Sequence, residues 1–172
     1  LVTRQFQRAL EDLQTVEQLD TTRSKLFEQY HAARQFERVG DHATKVARLV
    51  VQHTDDLADI DTEEFDRLAD RSRRIVERAG DVVLSDVDAR TGYGILEDAT
   101  ELEAAVAELD RELYDREDAA GAYVVGLLLD SVRRTAAYGR NIAEVGFQRA
   151  VQTEEESVAA QGTRRRWTST LL

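Results

Sequence analysis

Not one proline interrupts the 172 residues of this chain. Proline removes a backbone donor and clashes with the preceding turn, so its absence lets helices run to any length the other residues support. Those residues are rich in Ala, Leu, Glu and Arg and poor in alternating β-branched pairs, which predicts helix nearly throughout and an all-α fold.

Apolar spacing divides the chain into five helical segments. The first, from Leu1 to about Glu17, carries Val2, Phe6, Leu10, Leu13 and Val16. A cluster of cap-forming residues near Asp20, Thr21 and Thr22 closes it. The second runs from about Arg23 to His53 with the stripe Phe36, Val39, Gly40, Ala43, Val46, Ala47 and Val50. Asp61-Thr62-Glu63-Glu64 then reads as a capping box, with Asp61 as N-cap. It opens a third helix with Phe65, Leu68, Ile75, Val76, Ala79 and Val83 inward. After a turn at Ser85-Asp86, a fourth presents Tyr93, Leu96, Ala99, Leu102, Val106, Leu109 and Leu113, with Gly92 and Gly94 in its first turn. The fifth starts after Asp118 and is expected to end near Val151, leaving 152–172 as a mobile tail.

An internal repeat organises these segments. A shift of 96 positions, from Arg38 to Arg134, lays Arg38–Ala47 on Arg134–Ala143 with the size pattern preserved. Both strings carry small residues on one stripe: Ala33, Gly40, Ala43 and Ala47 in one, Ala136, Gly139, Ala143 and Gly146 in the other. A helical glycine costs about 1 kcal/mol relative to alanine, so both stripes are expected to be seams of close helix approach. The architecture that follows is two tandem three-helix bundles. Residues 1–54 form a first repeat without its opening helix, and residues 61–151 form a complete second one. The parent chain is expected to extend upstream.

Charge and composition narrow the function. With 34 acids against 23 bases, net −11, the chain lacks the clustered cations that general nucleic-acid affinity requires. The longest uncharged run, Ala119–Leu129, is too short for a membrane helix, so no membrane insertion is expected. Without Cys there is neither a disulfide framework nor a thiolate site. Lys25 and Lys45 are the only lysines, and Arg with abundant Asp and Glu resembles proteins of halophiles, whose carboxylates hold hydration in a salt-loaded cytoplasm. Ser24, Ser72, Ser85 and Ser131 stand in no nucleophile elbow and no phosphate loop follows a strand, so an enzyme is not expected.

The candidate ligands are carboxylates. Glu37 and Asp41 lie one turn apart, read as flanking the apolar stripe at its edge, and Glu77 and Asp81 repeat the spacing on the third helix. Like charges at i,i+4 repel unless a cation intervenes, either a hard metal ion or a neighbouring Arg34, Lys45 or Arg48. His31, His42 and His53 recur every 11 residues, about 16 Å apart along one helix, and cannot share a metal. Glu28-x-x-His31 has the spacing of a di-iron ligand pair, but it occurs once where such a site needs two. Arg67, Arg71, Arg74 and Arg78 form a basic stripe that would meet an anion, an acidic protein or the acids beside it.

The string Phe36-Glu37-Arg38-Val39-Gly40-Asp41-His42-Ala43-Thr44-Lys45-Val46-Ala47 resembles the signature of the PhoU family, in which a helix of each repeat reads Glu-Arg-x-x-Asp-His/Tyr-Ala-x-Asn-Ile-Ala. Tyr138-Gly139-Arg140-Asn141-Ile142-Ala143-Glu144 resembles the second half of the same motif, and the resemblance covers about residues 1–151. It implies a cytoplasmic, non-enzymatic regulator of phosphate uptake that docks on a phosphate ABC transporter ATPase or a signalling protein, with homodimerisation left open. It also implies a metal, as a divalent ion or an iron or zinc cluster, at Glu37 and Asp41, with Glu77 and Asp81 as secondary ligands. The second repeat departs from the motif, since Arg133 and Ala137 fall where its two acids would stand. Two alternatives are a metal-storing carboxylate bundle and a helical dimerisation domain of a transcription regulator with an upstream DNA-binding domain.

Overall fold

The computed structural model describes residues 23–57, 62–85, 88–114 and 119–168, together with Arg4, Arg8 and Glu11, which are helical. The rest of the first segment, Asp61, the Asp86 half of the turn and the end of the tail lie outside the described residues. From Arg23 onward the described part consists of five helices: α1 (Arg23–Gln52), α2 (Thr54–Leu57), α3 (Glu63–Leu84), α4 (Ala89–Tyr114) and α5 (Ala119–Thr168). They contain no strand, and the chain is an all-α helical bundle.

The long helix α5 is the centre of the packing, with α3, α4 and α1 laid along it. Its 50 residues correspond to about 75 Å at 1.5 Å per residue. The helix does not stop near Val151 as expected but continues to Thr168. The stretch beyond Val151 holds Ala, Glu, Gln and Arg, which sustain a helix without an apolar stripe, so loss of periodicity did not mark its end.

The core fills the space between α3, α4 and α5, where Leu68, Ile95, Leu102, Leu129 and Ile142 are fully buried. The expected seam of α5 is there. A Cβ added at Gly139 would come within 2.8 Å of Ile75 Cγ2, and one at Gly146 would run into the Val82 side chain and backbone. Ala136 and Ala143 are likewise fully buried. The seam expected on α1 is not a seam. Gly40, Ala43 and Ala47 are exposed, and a Cβ at Gly40 would meet nothing within 4 Å. No described helix packs closely on this face.

Local chemistry sets the helix ends. Helix α3 starts at Glu63 with Thr62 as N-cap and without a side-chain cap bond from Thr62, while the expected capping box rests on Asp61, outside the described residues. Glu63, Glu64 and Asp66 instead place negative charge in the first turn, against the positive end of the helix dipole. Helix α4 is opened by Asp88, whose carboxylate accepts from Thr91 N at 2.7 Å and from Thr91 Oγ1 at 2.9 Å. Gly92 then lets the first turn lie against Phe147 of α5, 2.9 Å from where a Cβ would stand. At the far end of α3, the Arg149 guanidinium donates to the carbonyls of Val82, Val83 and Ser85 at 3.0, 3.2 and 2.8 Å. One side chain thereby satisfies carbonyls that the last turn leaves without partners. Inside the bundle, the Ser72 hydroxyl ties α3 to α5 by donating to the Val132 carbonyl at 3.1 Å.

Candidate functional site: an open groove beside the repeat axis

Helices α1 and α5 meet at equivalent positions of the repeat. His42 and Tyr138, 96 residues apart, face each other with ring centroids at 5.6 Å and Tyr138 Oη 3.4 Å from His42 Nε2. On one side Asn141 Nδ2 reaches Gln35 Oε1 at 3.5 Å, and on the other Lys45 Nζ stands 3.8 Å from Asp130. Partner numbers fall on α5 as they rise on α1, so the helices are antiparallel and the two repeat strings are related by an approximate two-fold axis at this pair. Arg38 lies over the Tyr138 ring, 5.6 Å from its centroid. Burial is the main influence holding the His42 imidazole below its ordinary pKa, helped by Lys45 and Arg134 and opposed by Asp130 and Asp41.

The approximate symmetry is broken on the outside. On α5 the small face is covered by α3, whereas no described helix lies directly on the equivalent face of α1. Between α1 and α3, floored by Val132 and Thr135 of α5, runs a groove of about 450 Å³. Val39, Ala43, Val46 and Ala47 form one wall, and Phe65 and Val76 stand on the other. At one point Phe36 reaches α3, its ring 3.3 Å from the place of a Gly80 Cβ, yet it stays 39% exposed. Val50 and Val51 continue the face at 43% and 77% exposure. Single exposed apolar residues are ordinary; here they form one contiguous apolar face.

The predicted carboxylates are arranged differently. At 100° per residue Glu37 and Asp41 stand about 120° and 160° around α1 from Ala43, away from the apolar face and not at its edge. Asp41 opens on a separate cleft with Thr44, Lys45, Arg48, Leu49 and Gln52. Glu77 sits at the rim of the groove and accepts from Arg73 at 2.6 Å, while Asp81 is exposed near the end of α3. No group of three or more His, Asp or Glu that could hold a metal occurs among the described residues. Two carboxylates one turn apart, Glu37 and Asp41 offer oxygen ligands of the kind a hard divalent ion takes.

Arg133 and Arg134, standing where the motif's repeat begins, both donate to Asp130, at 2.8 and 3.0 Å. Their charge-assisted bonds hold the Asp130 carboxyl below the usual carboxylate range against the opposing effect of its burial. No helix among the described residues is long and apolar enough to cross a membrane. No family model, curated protein or solved structure matches the chain.

Proposed function

We propose that this chain is a cytoplasmic regulatory adaptor in phosphate homeostasis, acting by docking and not by catalysis, with a phosphate ABC transporter ATPase or a phosphate-responsive signalling protein as its partner. The observation that carries the docking part is the apolar groove between α1 and α3, bounded by helices and floored by a third. The phosphate part is supported by the resemblance of Phe36–Ala47 and Tyr138–Glu144 to the PhoU motif. Those two strings are also the ones that meet across the repeat axis.

Capture of the phosphate transporter ATPase encoded by the source genome tests this reading. Wild-type protein should retain the ATPase, and Ala43→Glu, which puts a charge on the exposed wall without touching the core, should lose it at least ten-fold with helicity unchanged. Absence of capture by the wild type, together with unchanged phosphate uptake in cells lacking the gene, would remove the reading. The exposed face at Phe36, Val50 and Val51 equally suits the dimerisation domain of a transcription regulator, which light scattering would reveal as a dimer abolished by the same substitution.

A further inference from the structure

Away from the groove, α3 turns three arginines toward α4. Arg71, Arg74 and Arg78 lie at i, i+3 and i+7, hence on one face, and with Asp98 of α4 they line a cleft of about 170 Å³ whose base is the buried Ile75. The Arg78 guanidinium pairs with Asp98 and rests 3.8 Å from the place of a Gly94 Cβ. Arg71 is held more loosely, 3.6 Å from a Glu101 side chain that is 72% exposed. Arg74 makes no hydrogen bond or ion pair among the described residues. Three guanidiniums thus face two carboxylates, Asp98 and Glu101, leaving a local positive excess on a chain of net charge −11.

We propose that this cleft binds a dianionic phosphoryl group, either free inorganic phosphate or the phosphate of an ester. Guanidinium forks match phosphate oxygens in pairs, and Arg in place of Lys keeps both charge and planar geometry at every position. The exposed Arg71–Glu101 pair belongs to a class worth little, so a dianion can displace Glu101 and gain Arg71 and Arg74 together. The size of the cleft suits a hydrated tetrahedral oxyanion and excludes a peptide helix. The inference rests on the arginines and is independent of the adaptor reading: phosphate binding without ATPase capture would leave it standing.

Titration of the whole chain with inorganic phosphate and, separately, with O-phosphoserine, followed calorimetrically at ionic strength matched with chloride, tests it. One saturable site per chain is expected, weakened at least ten-fold in Arg74→Gln and tightened several-fold in Glu101→Gln, both exposed substitutions whose folding circular dichroism checks. Binding of inorganic phosphate alone assigns the cleft to the free ion. Binding of O-phosphoserine alone assigns it to a phosphorylated group. No saturable binding of either, or equal affinity in wild type and Arg74→Gln, overturns the proposal.

Discussion

His42 and Tyr138 occupy the same place in two copies of one motif and lie against each other, 5.6 Å between ring centroids, so the repeat in the sequence is also the contact in the structure. The small faces of α1 and α5 both turn toward α3, which packs closely on the second and stands across a groove from the first.

That contact should respond to acid. The His42 imidazole is held below its ordinary value of 6.5, chiefly by burial and then by Lys45 and Arg134, so folding favours the neutral ring. The contribution is complete above the unfolded pKa and is lost as pH falls from about 6.5 toward the lower folded value. Urea midpoints measured from pH 7.5 to 5 should decline more steeply for the wild type than for His42→Phe; parallel curves would show that His42 has no part in the decline.

Two glycine substitutions should have opposite signs. Gly40→Ala adds a methyl into open space and gains helix propensity, stabilising by up to about 1 kcal/mol. Gly146→Ala drives a Cβ into Val82 and should destabilise by roughly 1–3 kcal/mol. Chemical denaturation of the two variants measures the contrast, and loss of stability in both would mean that the α1 face is covered in solution.

Arg149→Met keeps an unbranched apolar stem while removing the guanidinium and its three donated hydrogen bonds at the end of α3. The carbonyls of Val82, Val83 and Ser85 lose that donor, for an expected cost of about 1–3 kcal/mol. Hydrogen exchange should report it first in the last turn of α3, ahead of any change in α4.

Metal content separates the two readings of Glu37 and Asp41. Protein purified without affinity metals should carry no iron or zinc cluster. Added Mg²⁺ or Ca²⁺ should bind weakly, at millimolar levels, and more weakly still to Glu37→Ala/Asp41→Ala. Stoichiometric iron or zinc in the wild type, lost in the double variant, would show a donor set beyond this pair.

The sequence revealed the fold well wherever a face is repeated often enough to be averaged. Helix α1 was expected over Arg23–His53 and spans Arg23–Gln52, because its stripe is long and unbroken. Leu68, Ile75, Ala79, Leu102 and Val106 face the core as their spacing predicts. Ile95, fully buried, lies one position from the expected Leu96, and Tyr93, expected inward, is half exposed, because two glycines blur the stripe where α4 begins. What periodicity could not supply was the neighbour. Ala43 and Gly139 correspond in the repeat, yet only the second is covered, and nothing in either string says which helix will lie on it. The carboxylates were misplaced for a related reason: spacing of four puts Glu37 and Asp41 on one side of α1 but leaves that side's relation to the groove to be worked out by angle. Arg74 stood out in the sequence only as one member of a basic stripe. That no described residue pairs with it became visible once Asp98 and Glu101 were in position.

The face of α1 that no described helix covers also sets a condition on how this protein can change over generations. Ala43, Ala47, Val50 and Val51 pack little against the rest of the chain, so mutation toward charge there would be nearly free for folding and favourable for solubility. On the docking reading proposed above, a partner that lands on the face opposes such drift: a lineage that binds it should keep these positions small and apolar, and one that has given it up should let them turn acidic, following the rest of this surface.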